Sequence, residues 1–141
     1  MRNALLDTLR ADDDVCNALL WPIDFNLKVA TADTEWFTLT PKIAIRPIAS
    51  DGTGGLFLLC GQHQNVLHIT SEGQAGVIAR DLTEAIGLMV EHPYWRDLLK
   101  FSGGGVLEEM KRVAPYLERE LQADSPEIND VRALLRERLA L

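Results

Sequence analysis

The chain has 141 residues, 47% of them hydrophobic and 25% charged, a composition that excludes collagen-like, coiled-coil and disordered chains. The length favours a single domain, large enough for a core without metal or disulfide staples. Against 21 Asp and Glu stand 14 Lys and Arg, a formal charge of -7, which repels phosphate backbones and disfavours a nucleic-acid binder. The same field attracts a basic partner.

The first helix is expected around Leu5, Leu6 and Leu9. A second apolar set at helical spacing, Val15, Cys16, Leu19 and Leu20, follows the run Asp12-Asp13-Asp14. Three acids ahead of a helix suit its positive N-terminal end, so the run has a structural role available before any functional one. Trp21-Pro22 then stops the helix, because the residue before proline is pushed out of the α region. Near the start, Asp7 and Arg10 interrupt any apolar stretch following Arg2, which argues against a signal peptide.

Residues 36–70 read as strands. Trp36 to Leu39 and Ile43 to Ala49 are rich in aromatic and β-branched residues, and Pro47 assigns the second run to an edge or a bulge. Leu56 to Cys60 is apolar on both faces, as a covered central strand requires. It is also a typical apolar run for this chain, far short of the roughly 20 residues a spanning helix needs, so no membrane crossing is expected. Val66 to Thr70 alternates, with Leu67 and Ile69 on one side and His68 and Thr70 on the other. Asp51-Gly52-Thr53-Gly54-Gly55 and Gly61 to Asn65 are short enough for hairpins, which predicts an antiparallel meander.

From residue 77 the periodicity turns helical, with Ile78, Leu82, Ala85, Ile86 and Met89 on one stripe. Tyr94 to Phe101 makes a further short helix carrying Trp95, Leu98 and Leu99, and Ser102-Gly103-Gly104-Gly105 ends it. Leu107, Met110, Val113 and Ala114 form the next set, where Pro115 predicts a kink or a new start. Ser125-Pro126 has the form of a capped start leading into Ile128, Val131, Leu134 and Leu135. Strands first and helices afterwards give an α+β fold: one domain, with a mostly antiparallel central sheet over residues 36–70 and helices at both ends.

Few constellations carry chemistry. Cys60, His63 and His68 fall within nine residues, yet their spacing matches no zinc signature, so neither a metal nor a cofactor is expected. His63 reads as a solvated turn residue and His68 as the polar face of a strand. The thiols Cys16 and Cys60 read as buried and reduced, which fits a cytoplasmic chain. No serine lies in a nucleophile elbow. Asp51 and Glu72 form an acid–base pair only if the sheet joins them, and each has a plainer role in a turn or ahead of a helix.

The loop Asp51 to Gly55 runs into a strand, whereas a phosphate cradle needs the amides of a helix N-terminus. Ser71-Glu72-Gly73-Gln74-Ala75-Gly76 is better placed, between a strand and a helix. There Gly73 and Gly76 would let a small ligand approach the backbone, and Arg80 in the first turn would add charge. Glu72 opposes an anion, and the lysine and spacing of a P-loop are missing. On the C-terminal helix, Arg132, Arg136, Glu137 and Arg138 read as a solvated charged face, and Leu134 and Leu135 as a stripe able to dock on a second copy.

Ile48-Ala49-Ser50-Asp51-Gly52-Thr53-Gly54-Gly55, a hydrophobic strand, and then Ser71 to Ala79 together resemble the SUKH superfamily, as do Pro93-Tyr94-Trp95 and Asp97-Leu98-Leu99. That group includes a fungal cell-wall-synthesis regulator and many bacterial immunity proteins. The similar stretch covers less than half of the chain. Its motif residues (Asp51, Gly52, Gly54, Gly55, Glu72, Gly73 and Trp95) speak to fold more than to activity. The resemblance implies a mixed α+β domain without catalysis, whose bacterial relatives bind and neutralise toxin domains, often nucleases. Charge and resemblance together make Asp12, Asp13, Asp14 and Glu35 the expected contacts for a basic toxin domain. The rival expectation is a small-ligand sensor or enzyme built on Gly73, Gly76 and Arg80.

Overall fold

The computed structural model describes residues 3–28, 34, 37–38 and 42–140. The chain divides into two compact units, residues 1–86 and 87–141.

In the first unit two short helices precede a sheet. Helix α1 (Ala4–Ala11) begins where Asn3 accepts a hydrogen bond from the Leu6 amide at 3.0 Å. Asp12 closes α1 and opens α2 (Asp13–Leu20), its carboxylate accepting from Asp14 N and Val15 N. One turn of chain therefore ends one helix and starts the next. Leu6, Leu9, Val15 and Leu19 are fully buried. Both helices follow the sequence expectation, and Trp21 terminates α2 in an extended conformation.

The sheet is four-stranded and antiparallel, in the order β1 (Ile45–Ser50), β2 (Leu56–Cys60), β3 (Asn65–Ile69), β4 (Ala75–Ala79). The α+β class is therefore as expected, with β4 a strand where the sequence reading had a helix. Leu56, Leu58, Cys60, Leu67 and Ile69 share one face, with Phe37 and Ile45 packed against them. On the other face Phe57 meets Phe25 edge-on, ring centroids 4.8 Å apart. β1 lies at an edge and its register shifts between Pro47 and Ala49, as the proline implied. It starts at Ile45 rather than Ile43. Of the run Trp36 to Leu39, Phe37 and Thr38 belong to no strand, and Trp36 and Leu39 lie outside the described residues.

The fourth strand corrects the helix expected from residue 77. Gly73, at φ 88°, sits in the left-handed region that closes a tight hairpin, which sends Ala75 to Ala79 back along β3. Ile78 fitted the helical stripe only because it stands four residues before Leu82. The β-branched pair Val77-Ile78 prefers the pleated surface that the hairpin offers. Helix α3 (Leu82–Glu91) begins after that strand, with Leu82, Ala85, Ile86 and Met89 buried as the periodicity required.

The second unit is helical: the end of α3, then α4 (Trp95–Lys100), α5 (Leu107–Asp124) and α6 (Ile128–Leu139). Trp95 and Leu98 are buried, whereas Leu99 faces outward. α5 runs through Pro115 as a single helix, and the Lys111 carbonyl that Pro115 cannot satisfy belongs to an exposed residue. Ser125 does not open α6. It closes α5, its amide bonding the Leu121 carbonyl at 2.8 Å, and Pro126-Glu127 form the turn before α6 starts at Ile128. Among the described residues no helix is long and apolar enough to cross a membrane.

Candidate functional site

The acidic run lies at the start of α2. Asp12 is half-buried and committed to the helix cap, with Oδ1 3.1 Å from Asp14 N and 3.2 Å from Val15 N. Asp13 and Asp14 are exposed in the first turn, where the helix dipole favours negative charge. Helical geometry carries their face onward: Asp13, Asn17 and Leu20, spaced i, i+4, i+7, are all exposed, while Val15, Cys16 and Leu19 occupy the buried side. The stripe ends in Leu20, 41% exposed, and Trp21, 64% exposed. Asp12, Asp13 and Asp14 are thus brought together with an apolar end that the sequence reading did not associate with them. Glu35 lies outside the described residues.

Asp51 serves a different purpose. Its Oδ1 accepts hydrogen bonds from Thr53 N (2.9 Å), Thr53 Oγ1 (2.7 Å) and Gly55 N (2.9 Å). Its Oδ2 lies 2.8 Å from His68 Nε2 on β3. The two residues are 7% and 8% exposed, and the His68 ring packs on Phe57 at 4.8 Å. Burial pushes the Asp51 carboxyl up, but hydrogen bonds from His68, Thr53 and Gly55 outweigh it and hold the group well below the usual carboxylate range. This sequestered carboxylate braces the β1–β2 turn against β3. The expected Asp51–Glu72 pair is corrected accordingly: Asp51 pairs with His68, and Glu72 is exposed in the β3–β4 turn. His68, read as a polar strand face, is buried because its imidazole has this partner. His63 is exposed in the β2–β3 turn, as expected.

The glycines around Asp51 are structural. Gly52 N donates to Asp24 Oδ1 at 2.9 Å, and Gly54 adopts φ 89°. Gly55 has no room for a side chain, since a Cβ there would lie 2.5 Å from Asp51 Oδ2 and 2.8 Å from the Ile69 carbonyl oxygen. Gly55→Ala is expected to cost about 1–3 kcal/mol by forcing these groups apart. Urea denaturation checks it, and an unchanged midpoint would remove the tight turn from the account.

The Ser71–Arg80 segment is not the strand–loop–helix that a ligand site required. Thr70 N donates to Gln74 O at 2.8 Å and Gly73 N to Thr70 O at 2.9 Å, so residues 70–74 form a hairpin turn leading into β4. Gly73 and Gly76 therefore stand at no helix N-terminus. Arg80 follows β4 and binds Glu84, with Nε 2.8 Å from Oε2 and a terminal nitrogen at 2.7 Å, its side chain 87% exposed. Asp81 accepts from Glu84 N while Glu84 accepts from Arg80 N. The two bonds open α3 in the manner of a capping box, except that Glu84 reaches back to the amide of Arg80 and not to that of Asp81.

Arg132 is the main functional-type residue that sequence reasoning misplaced. Read as a solvated charge, it is 8% exposed. It forks onto Glu118 with two contacts of 2.8 Å, and donates to the carbonyls of Val90 (2.7 Å) and Glu91 (3.0 Å) at the end of α3. The Arg132 hydrogen bonds hold Glu118 down to about 2 against its burial. Burial, then the Glu118 charge, pushes the Tyr94 hydroxyl up to about 12. No local signal links Glu118 and Arg132, which sit on different helices. Leu135 is likewise fully buried, so it is not available as a self-docking stripe with Leu134. Trp95 is a core residue of this unit.

Among the described residues no group of three His, Cys, Asp or Glu is placed to hold a metal ion. Comparison with family models, curated proteins and solved structures finds no match to this chain.

Proposed function

We propose that this chain is a non-enzymatic, cytoplasmic protein-binding domain of SUKH-like type that neutralises a basic, nuclease-type toxin domain by covering it. The observation that carries this reading is the exposed face of α2, with Asp13 and Asp14 at one end and Leu20 and Trp21 at the other. Exposed tryptophan is what protein interfaces enrich at their centres, and flanking carboxylates steer a cationic partner toward it. A net charge of -7 adds long-range attraction of the same sign. The resemblance of residues 48–105 to immunity proteins supports the class of partner. Asp12 contributes charge from its capping position, and the proposal extends to Glu35.

Tagged chain incubated with lysate of its source cell is expected to retain one basic protein at low salt and to release it as salt screens the charges. Asp13→Lys with Asp14→Lys should weaken that binding by about tenfold or more, since like charges then face each other. Trp21→Ala should cost about as much through lost apolar burial. The retained protein should lose nuclease activity in the complex. Unchanged affinity in both variants would overturn the assignment of this face.

A further inference from the structure

We infer that β4 is a two-fold interface on which a second copy of this chain adds its own β4, antiparallel and centred on Gly76. The proposal is independent of the toxin-binding reading and uses a different surface.

The first observation is an asymmetry between the two sheet edges. β1 carries Arg46 and Pro47, and Asn26 bridges to Ser50 at its end. Each edge has one irregularity, between Pro47 and Ala49 in β1 and at Ile78 in β4, beyond residues 75–77. Charge and proline are among the usual means of keeping an edge from pairing. β4 has the sequence Ala-Gly-Val-Ile-Ala, with neither charge nor proline, and Ala75, Gly76 and Val77 are all exposed. Val77 is 61% exposed.

The second is the direction of the free backbone groups. Thr70 N bonds Gln74 O, which makes Thr70–Gln74 a hydrogen-bonded pair of the hairpin. Alternation along the ladder then makes His68–Gly76 a bonded pair and Ile69–Ala75 and Leu67–Val77 non-bonded ones. The N–H and C=O groups of Ala75 and Val77 therefore point away from β3. A partner strand centred on Gly76 sets Ala75 opposite Val77 twice, so these groups satisfy one another in four hydrogen bonds.

Third, nothing among the described residues explains Gly76. It does not adopt the left-handed conformation, and a Cβ there would meet nothing within 4 Å. Glycine weakens a strand interior, and one found there often marks the close approach of another backbone. Last, Glu72 and Arg80 stand four residues to either side of Gly76. The two-fold brings the β3–β4 turn of one copy, with Glu72, to the end of the other copy's β4, where Arg80 follows. Each end thus joins an acidic turn to a basic strand end, so the occupant with matching charge is this same chain. The Arg80 guanidinium, although bound to Glu84, is exposed enough to share.

Sedimentation velocity on the purified chain over a dilution series tests this. The expected result is a dimer that dissociates on dilution. Val77→Lys should raise its dissociation constant by about tenfold or more, because a lysine on an edge blocks pairing. Glu72→Arg and Arg80→Glu should each weaken the dimer, and the double variant should restore it. A chain that stays monomeric at every concentration overturns the proposal. So does a dimer indifferent to Val77→Lys, or a double variant without rescue.

Discussion

Asp51→Ala is expected to destabilise the first unit by about 3–5 kcal/mol. The substitution removes the acceptor of three hydrogen bonds in the β1–β2 turn and leaves His68 buried without its carboxylate. Leaving one member of a buried pair behind costs more than the pair contributes as a whole. In urea the midpoint should fall with little change in slope, since the surface exposed on unfolding stays the same. Asp51→Asn should cost less, because the amide oxygen still serves Thr53 and Gly55 and its NH2 faces His68 Nε2 as a donor. Acid has the same target. The folded-state carboxyl is held below its ordinary value, so its contribution is complete above the unfolded value of about 3.9 and is lost as pH falls below that. The acid limb of stability against pH should therefore flatten in Asp51→Asn. An Asp51→Ala midpoint equal to wild type would refute the bracing role.

For the second unit, Arg132→Ala is expected to cost about 3 kcal/mol, the lower end for a broken buried pair, because Glu118 keeps some access to water. The loss has two parts. Glu118 is left as a carboxylate without its cation, and the Val90 and Glu91 carbonyls at the end of α3 lose their donors. Arg132→Lys should recover little, since an ammonium cannot serve a bidentate carboxylate and two carbonyls in one plane. Arg132→Met combined with Glu118→Leu should recover the part that comes from the unpaired carboxylate, but not the part that comes from the Val90 and Glu91 carbonyls, which still lack their donors. Additive losses in that double variant would mean the two side chains act independently.

How much of this was written in local sequence varies by element. α1 and α2 were legible because their caps and apolar spacing agree: Asp12 announces α2 three residues before Val15 joins the core. The hairpins at Asp51 and Gly61 and the edge position of β1 followed from turn residues and Pro47. β4 was missed because Ala-Gly-Val-Ile-Ala has no period of its own and its fourth residue completes a helical spacing by chance. The feature that decides it, Gly73 at positive φ, looks the same in a hairpin as in a loop before a helix. Of the candidate surface, the carboxylates were visible as a run, but Leu20 and Trp21 joined them only through the rotation of α2. The pairs Asp51–His68 and Glu118–Arg132 span 17 and 14 residues. Histidine on an alternating strand and arginine on an amphipathic helix are most often solvated, so nothing short of the tertiary fold identifies them as buried.

The chain's two cysteines, Cys16 and Cys60, both belong to the first unit, and both are buried as free thiols that burial raises above their ordinary value. A thiol in that state is protonated and shielded, so an alkylating reagent reaches it only while the surrounding structure is open. The labelling rate is then a clock that runs on excursions of residues 1–86 alone. Trp95, buried in the second unit, is the one tryptophan among residues 87–141, so with Trp21 and Trp36 replaced by Phe it gives a separate optical signal for that unit. Reading the two together tells whether residues 1–86 and 87–141 unfold as one event or in succession.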